Sequence, residues 1–304
     1  MKIAIISTAA IPVPPEGYSG LEAILGWMAM EFVKNRNDVT IFTTKGSEWE
    51  GTHPIVADNE QVATLRVIGT IDPSWNGLEE SNHYQVYKPI LEKEFSDGNS
   101  VVLDNTWFCY SYLSKQKYPE MNIIHTHHGM IGFRSPPPVL HPRFVGLSTG
   151  HTHYLSSVLN IPVRFIHNGI PLPQYDESFD PLKHKGDYIL SLNRITDEKG
   201  VHDSIDVAIS NNQKIIICGD DTHVVSQNYV HNIIERCRNS NGLAQYLGLV
   251  DNQTKNTLIE NCKAMIACPK NSWVEAAGLY VLEGLARYKP FLGTTGTLFK
   301  HGYN

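Results

Sequence analysis

The run Glu275-Ala-Ala-Gly-Leu-Tyr-Val-Leu-Glu283 places a carboxylate on either side of Gly278, where a loop feeds a helix. A helix start presents unpaired N–H groups and the positive end of its dipole, so the Gly278 and Leu279 amides suit a phosphate. Glu275 precedes the turn and Glu283 lies just over one helical turn inside it, so both can border one pocket without sharing a helix face. Carboxylates accept hydrogen bonds from hydroxyls. Phosphate-binding amides beside two hydroxyl-binding acids describe a receptor for a sugar nucleotide. A solvated amphipathic helix with two exposed glutamates is the plainer reading of the same residues.

A second segment, Ser191-Leu-Asn-Arg-Ile-Thr-Asp-Glu-Lys-Gly200, follows the apolar run Tyr188-Ile-Leu and reads as the loop between a buried strand and a helix. Such loops carry ligands in open α/β sheets. Arg194 offers a planar fork of donors for phosphate oxygens, Lys199 a mobile point charge, and Gly200 a turn into the next helix. The two cations can balance a diphosphate without a metal. Each taken singly reads as a surface charge; their placement ahead of the 275–283 element is what joins them to a site.

In Ile124-His-Thr-His-His-Gly129, His125 and His127 alternate on one face of a strand, a spacing that could hold a metal. A zinc site usually needs a third protein ligand, and the local spacing nominates no Asp, Glu or Cys for it. His128 stands at the carboxyl end of that strand.

Taken together, Asn193-Arg-x-x-x-Glu-Lys-Gly200 and Glu275-x-x-Gly-Leu-x-x-x-Glu-Gly-Leu-Ala-x-x-Lys-Pro290 resemble the carboxy-terminal signature of retaining GT-B glycosyltransferases of family 4. Met1-Lys-Ile-Ala-Ile-Ile-Ser7 with Tyr18-Ser-Gly-Leu-Glu22 is similar to that family's first strand and glycine-rich donor loop. Phe144-Val-Gly-Leu-Ser148 and Val163-Arg-Phe-Ile-His-Asn-Gly-Ile170 resemble the last strands of its first domain. The resemblance implies an α/β fold of two Rossmann-like, doubly wound domains facing a cleft. It implies transfer of a glycosyl group from a nucleotide diphosphate sugar to an acceptor hydroxyl, with anomeric configuration retained and with no cofactor. Gly20, Arg194, Lys199 and Gly278 would then stabilise the leaving diphosphate, Glu275 would hold sugar hydroxyls and Glu283 the ribose diol. His128 matches the family histidine that faces the donor sugar across the cleft; His127 is the rival position. No Asp-x-Asp string occurs, which disfavours the metal-dependent glycosyltransferase fold. The family usually continues with closing helices beyond the loop matching Gly293–Thr297, so the second domain is either naturally short or truncated. The acidic residue common after Pro290 is also missing. A nucleotide-sugar epimerase or hydrolase of similar fold, or a noncatalytic sugar-nucleotide-binding protein, are the rival classes.

The elements that must position these residues alternate as in a doubly wound fold. Strands are expected at Lys2–Ser7, Asp38–Thr43, Ala63–Ile71, Ser100–Asp104 and Asn122–Thr126, with helices at 20–35 and 84–95, and the resemblance implies a further strand at Phe144–Ser148. The proline-rich segment Phe133–Pro142 reads as a rim loop, and 171–185 as the linker between a domain at 1–172, on the acceptor side, and a nucleotide-sugar-binding domain at 173–304. In the latter, strands are expected at Tyr188–Leu192, Lys214–Cys218, Ala244–Leu247 and Ala264–Ala267, and helices from Val201, Tyr229, Gln253 and Gly278.

At 304 residues the chain suits two α/β domains. A net charge of −6, spread over both halves, argues against a nucleic-acid partner. No run reaches the ~20 apolar residues of a membrane helix and no basic amphipathic cluster is evident, which leaves peripheral contact with a lipid-linked acceptor open beside saccharide and small-molecule acceptors. Five cysteines without Cys-x-x-Cys spacing, and an amino terminus without a signal-peptide cleavage pattern, indicate a cytoplasmic protein.

Overall fold

The computed structural model describes residues 1–16, 19–76, 79–131, 143–173, 186–222, 224 and 226–294. The chain divides into two compact units, Met1–Asn168 and Gly169–Asn304. The rim loop and most of the expected linker lie outside the described residues, as do Gly17 and Tyr18.

The first unit is built on strands β1 (Lys2–Ile6), β2 (Asp38–Thr43), β3 (Gly51–Ala57), β4 (Glu60–Gly69), β5 (Val101–Asp104), β6 (Asn122–Thr126), β7 (Phe144–Gly146) and β8 (Arg164–Phe165), with helices α1 (Gly20–Lys34), α2 (Glu79–Glu94), α3 (Ser111–Lys117) and α4 (Thr149–Leu159). The strands form one sheet in the order β3-β4-β2-β1-β5-β6-β7-β8. All pairs are parallel except β3 with β4, a hairpin turned at Asp58 and Asn59, both with positive φ. Because successive side chains point to opposite faces, β1 serves two cores. Ile3 and Ile5 pack with Leu25, Ala29 and Val33 of α1, while Ala4 and Ile6 pack with Tyr84, Tyr87 and Leu91 of α2. Helices therefore cover both faces, and the strands read as continuous apolar runs for that reason.

The second unit repeats the plan with β9 (Tyr188–Leu192), β10 (Lys214–Cys218), β11 (Ala244–Gly248), β12 (Ala264–Ala267) and β13 (Phe291–Gly293), and with α5 (Val201–Ser210), α6 (Gln227–Arg238), α7 (Asn252–Asn261) and α8 (Leu279–Leu285). The sheet is wholly parallel, ordered β11-β10-β9-β12-β13. Ile189 joins Ile215, Ile217 and α5–α6 on one face, whereas Leu190 joins Met265, Val281 and Ile259 on the other. In both sheets the chain order reverses beside the first strand, between β1 and β5 and between β9 and β12. The loops leaving adjacent strands diverge at these two points, and open α/β sheets bind ligands in the crevice that results.

Candidate active site

In the second unit the expected residues leave the carboxyl ends of β9 and β12. The loop after β9 runs through Arg194 into a 3-10 turn, Asp197–Lys199, and enters α5 at Gly200. Gly200 has φ +59°, and a Cβ there would lie 1.8 Å from the Cys268 carbonyl oxygen at the end of β12. Only glycine satisfies both constraints, and its smallness lets the two loops touch. Lys270 N–H donates to the Glu198 carbonyl at 3.0 Å and adds a second tie.

This approach brings Lys199 onto Glu275, 76 positions along the chain, in an ion pair whose side chains are 11% and 10% exposed. The ammonium also sits 5.6 Å from the Trp273 ring centroid, a cation–π contact. Tyr280 Oη donates to Glu275 at 3.5 Å, and Glu275 with the burial of the phenol pushes the Tyr280 pKa far up, burial being the larger cause. Arg194 reaches Glu198 at 3.4 Å through Nη2. Its Nε and the Trp273 Nε1 are buried donors with no partner among the described residues. Buried donors without a partner, carried on the same two loops as the Lys199 ammonium, are what a bound anion would satisfy.

Gly278 caps α8 with no side-chain bond, so its first amides are not claimed by a capping residue. A Cβ at Gly278 would come 2.8 Å from the Tyr280 ring. Glu283, one turn inside α8, pairs at 2.7 Å with Lys255 of α7 rather than with the Lys199 cluster. Trp273, Tyr280 and Lys255 carry no motif, and the sequence reading passed over them.

In the first unit Gly20 opens α1. Ser19 accepts from Glu22 N–H at 3.3 Å as the N-cap of α1, and its hydroxyl donates to the Glu22 carboxylate. Glu22 also accepts from Thr8 Oγ1 at 2.6 Å, and burial raises its pKa against those hydroxyl bonds.

The histidines separate by face. His125 and His127 are buried, whereas His128 is half-buried and its Nε2 lies 2.9 Å from Asn105 Oδ1. Burial, and then the His125 and His151 rings, push the His128 pKa down to about 3, which favours the neutral imidazole. His125 Nδ1 lies 3.3 Å from Asp104 Oδ1, and its Nε2 lies 3.4 Å from His127 Nδ1. His127 Nε2 is buried without a partner among the described residues.

The expectation that no Asp or Cys accompanies His125 is corrected here. Asp104 of β5 and Cys109 just beyond it bring their ligand atoms within 4.8 Å of one another and of His125. Local spacing could not show a juxtaposition made by a neighbouring strand. The donor set is poorly suited to a metal all the same. Burial pushes the Cys109 thiol far up, whereas a metal binds the thiolate. Asp104 is committed to Thr106, Ser111 and His125. Against the burial that would raise it, the bonds and charge of His125, with the two hydroxyls, hold its carboxyl well below the usual range.

Residues 175–300 match the family model of glycosyl transferases group 1. Among solved structures, the whole chain is similar to a glycosyltransferase from Rickettsia africae ESF-5, with 17% identity and a TM-score of 0.68 over 98% of this chain and 80% of that one. AviGT4, a glycosyltransferase involved in avilamycin A biosynthesis, aligns at 19% identity and a TM-score of 0.63, over the same shares of the two chains. The fold is GT-B. Anabaena Alr3699/HepE, solved in complex with UDP-glucose, shares this GT-B fold at 12% identity and a TM-score of 0.64, covering 98% of this chain and 81% of that one. A search of curated proteins finds no match. No helix among the described residues is long and apolar enough to cross a membrane.

Proposed function

We propose that this protein is a glycosyltransferase that takes a sugar from a nucleotide diphosphate donor and transfers it to an acceptor hydroxyl with retention of anomeric configuration. The observation that carries this reading is the joining of the β9 and β12 loops by the Lys199–Glu275 ion pair, with Trp273 against the ammonium and unpartnered buried donors on Arg194 and Trp273. The group 1 family match over the same unit and the UDP-glucose complex of the similar Anabaena protein support it.

In this reading Arg194 and Lys199, with the amides at Gly278 and Leu279, offset the charge that grows on the departing diphosphate. Such preorganised stabilisation usually dominates catalysis. The anomeric C–O bond to phosphate breaks, and its electron pair leaves with the diphosphate. A new C–O bond forms to the acceptor oxygen, whose proton passes to the leaving phosphate. An ammonium carries three donors and a carboxylate about four acceptor sites, so Lys199 and Glu275 can hold each other and still reach phosphate and sugar hydroxyls. Glu283 takes the ribose diol, the first-turn amides at Gly20 assist, and neutral His128 serves the sugar end of the donor. No metal is needed to bridge the diphosphate.

Mass spectrometry after incubation with UDP-, GDP- and ADP-sugars and a mixed acceptor panel tests the reading. Glycosylated acceptor is the expected product. Free monosaccharide with no acceptor product would instead identify a hydrolase. Calorimetry with UDP or GDP in EDTA should give the same affinity as without it, and loss of binding on chelation would overturn the metal-independent assignment.

A further inference from the structure

Asn105, the first residue beyond β5, sits at the strand-order reversal of the first unit and is only 2% exposed. Its backbone N–H donates to the Ile6 carbonyl at 2.9 Å and ties the end of β5 to the end of β1. Its side-chain Nδ2 donates to the Leu103 carbonyl at 3.1 Å. A carbonyl oxygen accepts and never donates, so the nitrogen is the end of the amide that faces Leu103. The amide oxygen is thereby turned to His128, with Oδ1 2.9 Å from Nε2. That oxygen too can only accept, and Nε2 must bring the hydrogen.

A neutral imidazole carries one such hydrogen, and the bond made by one nitrogen decides the state of the other. With the hydrogen on Nε2, His128 keeps a bare lone pair on Nδ1. Nδ1 has no hydrogen-bond partner among the described residues, and His128 is half-buried rather than sealed in. The backbone on either side is pinned. His127 N–H donates to the Val145 carbonyl at 3.2 Å, and His151 Nε2 lies 2.9 Å from the Gly129 carbonyl oxygen. Leu147 N–H donates to His151 Nδ1 at 3.1 Å, so the same logic seats that ring's hydrogen on Nε2 and aims it at Gly129. What the backbone leaves undetermined at His128 is the turn of the ring and the seat of its proton, and the Asn105 amide settles both.

A bare Nδ1 accepts a hydrogen bond from a hydroxyl or faces growing positive charge, and it has no hydrogen to give to a phosphate oxygen. Hydroxyls and growing positive charge are what a sugar presents as its leaving group departs.

We propose that Asn105 is a positioning residue of the transfer reaction, holding the His128 hydrogen on Nε2 and so presenting Nδ1 to the donor sugar as an acceptor. Its part in transfer rests on the transferase reading; the seat of the hydrogen does not. Nitrogen-15 NMR of the full chain, with the His128 signals identified by their loss in His128→Gln, tests the seat of the hydrogen. It should sit on Nε2, protected from exchange, with Nδ1 bare, and Asn105→Leu should lose that protection. A hydrogen on Nδ1 in the parent, or a Nε2 hydrogen equally protected in Asn105→Leu, would overturn the proposal. Steady-state kinetics tests the part in transfer. Asn105→Leu should lower kcat about five- to tenfold, the scale of one lost hydrogen bond, and leave UDP or GDP binding within a few fold. Combined with His128→Ala it should cost nothing further, because a positioning residue acts only through the ring it positions. A double variant slower than His128→Ala by the full Asn105→Leu factor would show that Asn105 serves the fold and not His128. If the parent turns over no donor, the transferase reading falls, and the NMR arm still decides where the His128 hydrogen sits.

Discussion

Lys199 is expected to carry two separable loads, and its removal should show both. Its ammonium is the buried counter-charge of Glu275, with the two side chains only 11% and 10% exposed. Lys199→Ala strands a carboxylate in a site that excludes water, and breaking such a pair costs about 3–5 kcal/mol. Urea unfolding should register that loss. The same ammonium is assigned to the diphosphate, where a charge-assisted hydrogen bond contributes about 1.5–3 kcal/mol. UDP or GDP binding should therefore weaken roughly ten- to a hundredfold. The double variant Lys199→Met/Glu275→Gln separates the loads, because it removes the stranded charge along with its partner. Stability should return to within about 1–2 kcal/mol of the parent, since a buried pair can be replaced by neutral groups at little cost. Nucleotide affinity should stay low. If the double variant binds UDP and GDP as tightly as the parent, Lys199 serves Glu275 alone and the phosphate assignment is wrong.

His128→Ala should cut turnover sharply and leave nucleoside diphosphate binding within a few fold, whereas His127→Ala, which removes a buried ring, should lower the unfolding midpoint; turnover lost only at His127 would move the assignment by one residue. Gly200→Ala should destabilise by at least about 1–2 kcal/mol from its left-handed backbone, with the clash on the Cys268 carbonyl adding to that, as read by urea unfolding. Glu80 gives a pH signature. Burial, and to a lesser degree Asp104, push its carboxyl up to about 8 against the Trp107 and Phe108 amide bonds. The folded state thus holds a proton that the unfolded chain has already released, so this contribution is full below the unfolded pKa and is lost as pH rises toward 8. His83, pushed down to about 4 chiefly by burial, works in the opposite sense but only below its unfolded value near 6.5. Between pH 6.5 and 8 the melting temperature should fall in the parent and fall less in Glu80→Gln. Parallel curves would show that Glu80 is ionised throughout.

Apolar runs that serve a sheet covered on both faces were legible in sequence. Strands β2, β6, β9, β10 and β12 have the expected bounds, β1, β5, β7 and β11 differ by a residue or two at an end, β4 begins three residues early, β8 keeps two residues of the 163–170 segment, and β13 was not foreseen. Strand β3 was missed because it is almost wholly exposed and shows no apolar alternation, although Asp58-Asn59 was a usable turn signal. Helix α4 hid behind Ser148, read as the end of a strand when it is the N-cap that accepts from His151 N–H. Helix α3 offers only one short turn-rich stretch. In the site, the motifs named Arg194, Lys199, Glu275 and Gly278, yet could not show that Lys199 closes on Glu275 or that Trp273 lies under it. Those contacts depend on two loops meeting through Gly200, a fact of tertiary packing. The Glu283–Lys255 pair was illegible for the same reason.

The hairpin of β3 on β4 has a bearing on self-association. An open parallel sheet ends in a strand whose amides and carbonyls can template a strand from another molecule. Here that margin is given to β3, which turns antiparallel, shifts register between Ile55 and Val56, and carries Pro54 in mid-strand. Proline has no N–H to offer an incoming chain, and the irregularity twists the margin away from a flat template. At the opposite margin β8 is only two residues long. Neither border of the first sheet presents a long, regular row of free amides, so edge-to-edge aggregation has little to grow from.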